Sequence, residues 1–458
     1  MSKFRNIATV GLSAAFIFGF SIWSIAKPAT DMSQSERRKL TQFPELTLET
    51  VTDGSFMTDF EKYTLDQFPL RDKFRTLKSV TALYAMGKKD NNGIYLYDGY
   101  ASKLEYPYNP SSIKWAASRM NFVYEKYLKP TGSKVYLSVV PDKNYFIAEK
   151  GGYLYMDYES LFRDLREQTG FAEYIDITGQ LGITDYYKTD THWRQEKISS
   201  VANYIAAAMG TTINPTYTQV DVGVPFYGVY YGQSALPLSA EKIYYLTNET
   251  LKNCKVFDYE SNAYMDMYDM EKANGKDPYE LFLGGSKSLI TIENPSAATD
   301  KELIVFRDSF GNALHADLAG QFSQAVFSRS MPYDLSQAEE MPEVLIAEIA
   351  QRNLRWLAQR PPLLPAPQRQ APVWEREAQQ KLSVSVSESG FEGLFCYEGR
   401  FPEPPDTDAA GFACMDGVWY ESCLTEDGFR LLAPEAESVQ LVTTAAESAS
   451  IYQAELTN

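Results

Sequence analysis

Histidine occurs only twice in the 458 residues, as His192 and His315, so few side chains can serve as a general base near neutral pH. His192 lies in Tyr187-Lys188-Thr189-Asp190-Thr191-His192-Trp193. Far downstream, the apolar run Leu303-Ile304-Val305-Phe306 leads through Arg307-Asp308 to Ser309. A carboxylate, an imidazole and a hydroxyl are the groups that activate a serine nucleophile. In extended backbone, residues two apart point the same way, so Asp190 can reach His192 and fix its tautomer. A serine where a strand turns into a helix presents its hydroxyl above the sheet, beside amides that can hold an oxyanion. Plainer uses exist for each group: serine and aspartate cap helices, and histidine can be merely hydrogen-bonded. One Asp and one His are too few ligands for a metal, and no cofactor is expected.

Other residues near these segments invite a role. Lys143, after the strand that Pro141 ends, either meets a substrate oxygen or is a solvated loop lysine. Among 32 tyrosines and six tryptophans, Tyr187 and Trp193 are best placed to stack on sugars. His315 lies six residues past Ser309, off the face of the helix that carries the serine, and reads as structural.

The elements that must position these groups alternate. Ile113, Ala117, Met120, Tyr124 and Tyr127 recur at helical spacing, Val135–Val140 is a short apolar run, and Leu161–Glu167 returns to helix. Tyr174–Ile177 reads as strand, Glu196–Met209 as helix, Leu303–Phe306 as strand, and Phe310–Ala319 as helix. Val344–Ile349 is the last strand, leading into a helical stretch from Ala350 to Leu357. This pattern predicts an α/β fold, a parallel sheet with helices on both faces. Earlier, Phe56–Lys78 reads as helix broken at Pro69, and Gly93–Tyr100 as a strand pair turning at Asp98-Gly99. Residues 211–300, rich in Tyr, Gly and Asn, read as an insertion or β-rich excursion.

Composition sets the frame. With 60 acidic and 43 basic residues the net charge is −17, which repels phosphate backbones and argues against nucleic acid. Lys3 and Arg5 precede Ile7–Ile25, a charge-free run about long enough to span a bilayer, read as an anchor with the body outside the cell. Cleavage near Ser24 and Ala26 would instead make the protein secreted. The spacing of the four cysteines matches neither a zinc site nor a disulfide framework. The Pro-rich segment 358–374 separates a small acidic β-rich domain, residues 375–458, whose 16 acidic and 4 basic residues carry −12 of the total charge. The expected division is therefore 1–34, anchor and linker; 35–357, catalytic; 358–374, linker; and 375–458, accessory.

Residues 35 to about 357 resemble the DHHW family and the related alginate O-acetylation proteins, a branch of the SGNH hydrolase superfamily. The matching segments are Phe68-Pro69-Leu70-Arg71-Asp72, Val140-Pro141-Asp142-Lys143, Tyr187–Trp193, Phe226-Tyr227-Gly228, Arg307-Asp308-Ser309-Phe310 and Glu343–Glu348 with Arg352. The pair Asp-x-His precedes the serine there, as it does here. Thr191 stands where the DHHW signature has a second histidine, and Arg307 where many superfamily relatives have glycine. The resemblance implies an SGNH-hydrolase-like fold, with Ser309 as nucleophile, His192 as base and Asp190 as its orienting acid. Gly284 and Gly285 would supply oxyanion amides. It further implies O-acetyl transfer to a cell-surface or exported polysaccharide in the bacterial envelope, with a membrane-bound O-acyltransferase supplying the acyl group. A carbohydrate acetylesterase and a non-catalytic glycan-binding envelope scaffold are the alternatives.

Overall fold

Lys134–Val140 (β1) is a run of β-branched and aliphatic residues that Pro141 ends by removing the next amide donor. The computed structural model places it within an eight-stranded sheet. It describes residues 2–211, 214–329, 344–350 (backbone only), 363, 365–372, 380–389, 391, 393–445 and 449–457. The other strands are β2 (Glu173–Tyr174), β3 (Lys255–Asp258), β4 (Ala263–Met265), β5 (Leu289–Glu293), β6 (Glu302–Arg307), β7 (Gln324–Ser328) and β8 (Val344–Ala350). Their order is β4-β3-β5-β7-β6-β8-β1-β2. Strands β7, β6, β8, β1 and β2 pair in parallel, whereas β4, β3 and β5 pair antiparallel at the other edge. The sheet is thus mixed, parallel over five strands and antiparallel at one edge. The antiparallel strands come from residues 211–300, a stretch that also forms a separate two-stranded sheet from Thr218–Phe226 and Glu241–Thr247.

The chain divides into two compact units. One comprises Met1–Leu104, Lys188–Thr191 and Pro225–Glu241; the other comprises Glu105–Tyr187, His192–Val224 and Lys242–Asn458.

The first unit begins with α1 (Ser2–Ala26), whose segment Lys3–Ala26 is long and apolar enough to cross a membrane, as a signal sequence also is. Helices α2 (Ser55–Asp66) and α3 (Arg71–Val80) flank Pro69 as expected. Asp66 accepts two bonds from Arg38, at 2.8 and 2.6 Å, and Glu36 pairs with Arg71 and Arg75 at 2.5 and 3.2 Å. The Arg38 fork holds the Asp66 carboxyl well below the usual range. Burial opposes ionisation of Glu36, but the three arginines outweigh it and lower its carboxyl too. Ile94–Tyr97 and Tyr100–Lys103 form the expected hairpin, with Asp98 and Gly99 both at positive φ.

In the second unit, α4 (Pro110–Val123) is capped by Asn109 and starts with Pro110, and α6 (Tyr158–Gln168) is capped by Asp157. Between them lies α5 (Lys143–Ile147), capped by Asp142. Ile113, Ala117 and Met120 of α4 and Leu161 and Leu165 of α6 pack on Leu137 and Val139 of β1. The next turns of chain, Val123 and Leu128, cover Ile304 and Phe306 of β6. The alternate residues Leu303 and Val305 are fully buried as well. Helix α8 (Gly311–Ala319), which follows β6, packs on α7 (Ser199–Ala208) and against β6 and β7.

Seven strands then close a barrel: β9 (Gln380–Glu388), β10 (Leu394–Arg400), β11 (Ala410–Met415), β12 (Val418–Leu424), β13 (Gly428–Pro434), β14 (Val439–Thr444) and β15 (Ala449–Thr457). They run β9-β10-β13-β12-β11-β14-β15, and β15 pairs in parallel with β9 to complete the circle. Trp115 of α4 joins the barrel's core, Arg119 donates to the Ala409 carbonyl at 2.7 Å, and buried Glu421 binds Lys126 and Arg369 at 2.7 and 2.9 Å. The described part of the Pro-rich segment is not a free tether. Ala366 and Arg369 donate amide bonds to Leu432 and Trp419 of the barrel, and Pro367 accepts one from Glu421. The helix expected over Ala350–Leu357 lies outside the described residues beyond Ala350, which ends β8; Glu343 and Arg352 also lie outside them. All four cysteines are free thiols.

Candidate active site

The position of Ser309 follows from β6. Its apolar run ends at Arg307, the chain turns, and Asp308 fixes the turn by accepting the Phe310 amide at 2.7 Å. Phe310 is the N-cap of α8, and Ser309 sits partly exposed at the turn. His192 reaches it from a loop whose two ends are bridged, Tyr186 to Trp193, with the Tyr187 amide donating to the His192 carbonyl at 3.1 Å. His192 Nε2 lies 2.8 Å from Ser309 Oγ, the spacing of a hydrogen bond.

Aromatic rings fix that imidazole. Tyr279 stacks flat on it, with centroids 3.9 Å apart and planes 10° from parallel, and Phe310 lies 4.9 Å away at a tilt. Trp193 donates its indole N–H to the Phe310 carbonyl at 2.9 Å, and Gln195 donates to the Ala313 carbonyl at 2.9 Å. Two residues next to His192 therefore tie its loop to α8.

The loop's tip, Lys188–Thr191, belongs to the first unit. There Glu241 accepts the amides of Lys188 and Thr189 and the Thr189 hydroxyl, at 2.7–2.8 Å. Asp190 is buried, and its Oδ2 accepts the Val229 amide at 2.7 Å. Gly228 donates to Thr189 Oγ1 at 3.0 Å, and a Cβ at Gly228 would come within 2.3 Å of the Thr189–Asp190 backbone. This contact explains why Phe226-Tyr227-Gly228 accompanies the Asp-x-His segment: only glycine lets the two strands of chain approach so closely.

Three expected substrate contacts are corrected by burial. Trp193 and Tyr187 are both 0 % exposed and cannot stack on a sugar. Lys143 is 1 % exposed and donates to the Tyr187 carbonyl at 2.9 Å, so it is neither a solvated lysine nor a substrate contact. Gly284 and Gly285 are buried at φ 63° and 81°, after Leu283 at 53°. The Gly285 amide is already committed to the Phe282 carbonyl at 3.1 Å, and its own carbonyl accepts from Asn312 of α8 at 2.9 Å. Among the described residues, the amides of Gly284 and Ser309 make no hydrogen bond. Arg307 turns inward, donating to the Lys287 carbonyl at 3.3 Å.

His315 is fully buried, and its Nδ1 meets the Asn312 carbonyl. Desolvation pushes its pKa down to about 3, opposed by that bond and helped by the Arg307 charge. Burial moves Asp317, on the same helix, the other way, up to about 7. Tyr279, Asn312, Gln195 and Val229 carry no signal in the sequence that ties them to His192 or Ser309. Tyr279 enters on a 3₁₀ turn begun by Asp277-Pro278, far from either in sequence.

No family's sequence profile matches this chain, and no curated protein is significantly similar to it in sequence. Solved structures similar to it include Bacillus cereus PatB1 with a sulfonyl adduct, at 18 % identity over 57 % of this chain and 95 % of that one, with a TM-score of 0.48. A DHHW family protein from Eubacterium siraeum is 16 % identical over 58 % and 93 %, with a TM-score of 0.45. The O-acetyltransferase domain of Pseudomonas putida AlgJ is 14 % identical over 57 % and 92 %, with a TM-score of 0.35.

Proposed function

We propose that the chain is an extracytoplasmic serine-dependent acyl-ester enzyme, an O-acetyltransferase acting on a cell-surface or exported polysaccharide. The 2.8 Å contact between His192 Nε2 and Ser309 Oγ carries the proposal. In this reading His192 takes the Ser309 proton as Oγ attacks the acyl carbon, and the imidazolium returns it to the departing donor oxygen. The acyl group rests as an ester on Ser309. A sugar hydroxyl then gives its proton to His192 and attacks the ester carbon, and Ser309 leaves with that proton restored. The amides of Ser309 and Gly284 are assigned to the oxyanion, and Asp190 to holding the imidazolium. Residues 35–357 are assigned as the catalytic part, 375–458 as an accessory domain, and α1 as the anchor that keeps the body outside. A membrane-bound O-acyltransferase would supply the acyl group.

The test treats the full chain in detergent with a fluorophosphonate probe, beside Ser309→Ala. Labelling should fall on Ser309 and vanish in the variant. A folded parent that takes up no label would reject the activated serine. With 4-nitrophenyl acetate as donor, acetyl groups appearing on an added oligosaccharide support transferase chemistry, whereas release as acetate alone supports the esterase.

A further inference from the structure

Helix α3 is amphipathic with its polarity turned inside out. Arg71, Arg75 and Ser79 recur every four residues and face the protein interior. The two arginines are 18 % exposed, and the serine is 0 % exposed. Arg75 donates to the Gly232 carbonyl at 2.8 Å and Ser79 to the Ser234 carbonyl at 2.6 Å. The opposite stripe is Leu70, Phe74, Leu77 and, about two turns further on in the continuation Thr81–Ala85, Tyr84. It points outward, with Leu70, Leu77 and Tyr84 at 50, 60 and 72 % exposed. A helix packed in water buries its apolar stripe. Here charge and hydroxyl are buried and leucine is left outside, an arrangement that water penalises and a lipid environment rewards.

A second observation says what lies outside. Phe20 of α1 stacks on Phe68 at 5.4 Å and meets Phe74, a member of the outward stripe, edge-on at 5.6 Å. Phe20 lies six residues before the end of α1, about 9 Å along the helix axis at the usual rise per residue. Interfacial helices seat their apolar face roughly 5–10 Å into the boundary between headgroups and acyl chains. The stripe is therefore continuous with the membrane-crossing segment, at the depth where such a helix lies.

We infer that α3 and its continuation form a second membrane contact, lying in the bilayer interface and holding the chain against the membrane beyond what α1 does. The inference rests on α1 as the spanning helix, and its partner is the lipid bilayer itself. A protease site is inserted after Pro28 in the full chain, which is reconstituted into phosphatidylcholine liposomes. Alkaline carbonate extraction of the uncut chain checks α1 separately. After cleavage, most of the released body should still sediment with the liposomes. Leu70→Glu with Leu77→Glu should lower that retention at least tenfold. Both positions are exposed, so the thermal unfolding of the double variant in detergent should match the parent. A parent body that leaves the liposomes on cleavage overturns the inference, as it would if the surface served a partner protein. So does a double variant retained as strongly as the parent, which would make the Phe20 contacts sufficient.

Discussion

The protein's two histidines sit in two regions that meet the same helix and treat an imidazole in opposite ways. The loop around His192 leaves the ring 9 % exposed, flat against Tyr279 and within 2.8 Å of a partly exposed serine. The interior of α8 takes His315 out of water altogether, satisfies Nδ1 with a backbone carbonyl and keeps the ring neutral. A residue type therefore says little about chemistry until burial is known. A ring that shuttles protons needs a partner that can lose one and a route for substrate to reach it. A ring sealed against Tyr268 and Phe282 can only pack.

The sharpest way to break this contrast is to remove each ring in turn. His192→Ala should lower kcat for acetyl transfer by on the order of 10³-fold, the scale of lost general-base catalysis, with the melting temperature nearly unchanged. His315→Ala should instead cost about 2–4 kcal/mol of stability, from the cavity and the orphaned Asn312 carbonyl. Its kcat per folded molecule should stay within a few-fold. Urea unfolding beside active-site titration separates the two. If His315→Ala loses turnover as His192→Ala does, while still folded, the assignment of roles is wrong.

Much of this contrast is legible in the sequence, and what is not has physical causes. Leu303–Ser309 could be read as strand and turn because a buried parallel strand is a continuous apolar run and Arg307-Asp308 interrupts it. The stretch 211–300 was opaque for a related reason. Leu289–Glu293 is buried on both faces and so shows no alternation, while Lys255–Asp258 and Ala263–Met265 are too short to show a period. Tyr187 and Trp193 invited a sugar-binding role, since aromatic residues serve cores and binding platforms alike. Only the indole bond to the Phe310 carbonyl shows which use applies. Lys143 misleads similarly, as a lysine is rarely buried unless its ammonium is hydrogen-bonded. The inverted polarity of α3 is present in the sequence as a clean stripe, but periodicity alone does not say which side faces in.

A middle-sized effect sharpens the contrast from within α8. His315 and Asp317 are both neutralised by burial, but their linkage to pH has opposite sign. The lowered His315 pKa means that the unfolded chain binds more protons between about pH 6.5 and 3, so its contribution is complete above pH 6.5 and is lost on acidification. The raised Asp317 pKa means that the folded chain holds more protons between about pH 4 and 7. Stability therefore falls as pH rises through that window and levels off above about pH 7. Asp317→Asn, which stays neutral throughout, should match the parent near pH 4 and exceed it by roughly 1–3 kcal/mol at pH 8. Urea midpoints at the two pH values decide it. A constant offset between parent and variant would mean that the carboxyl is ionised in the folded protein at both.

The smallest expected effect bears on what distinguishes the His192 region: its imidazole is held by a ring face and not only by hydrogen bonds. Tyr279 covers one side of His192, at 3.9 Å and nearly parallel, so it limits rotation of the imidazole about its own bond to the chain. Removing that face frees the ring to leave its line with Ser309 Oγ, and a small loss of alignment costs rate more than it costs substrate binding. Tyr279→Leu should lower kcat about three- to tenfold and leave KM within twofold. Tyr279→Phe, which keeps the face, should restore kcat to near the parent value. A merely structural tyrosine would give a different pattern, with stability lost and kcat per folded molecule unchanged in the leucine variant. If phenylalanine fails as badly as leucine, the hydroxyl and not the ring face is what His192 depends on, and the difference between the two histidine regions is one of polar contacts after all.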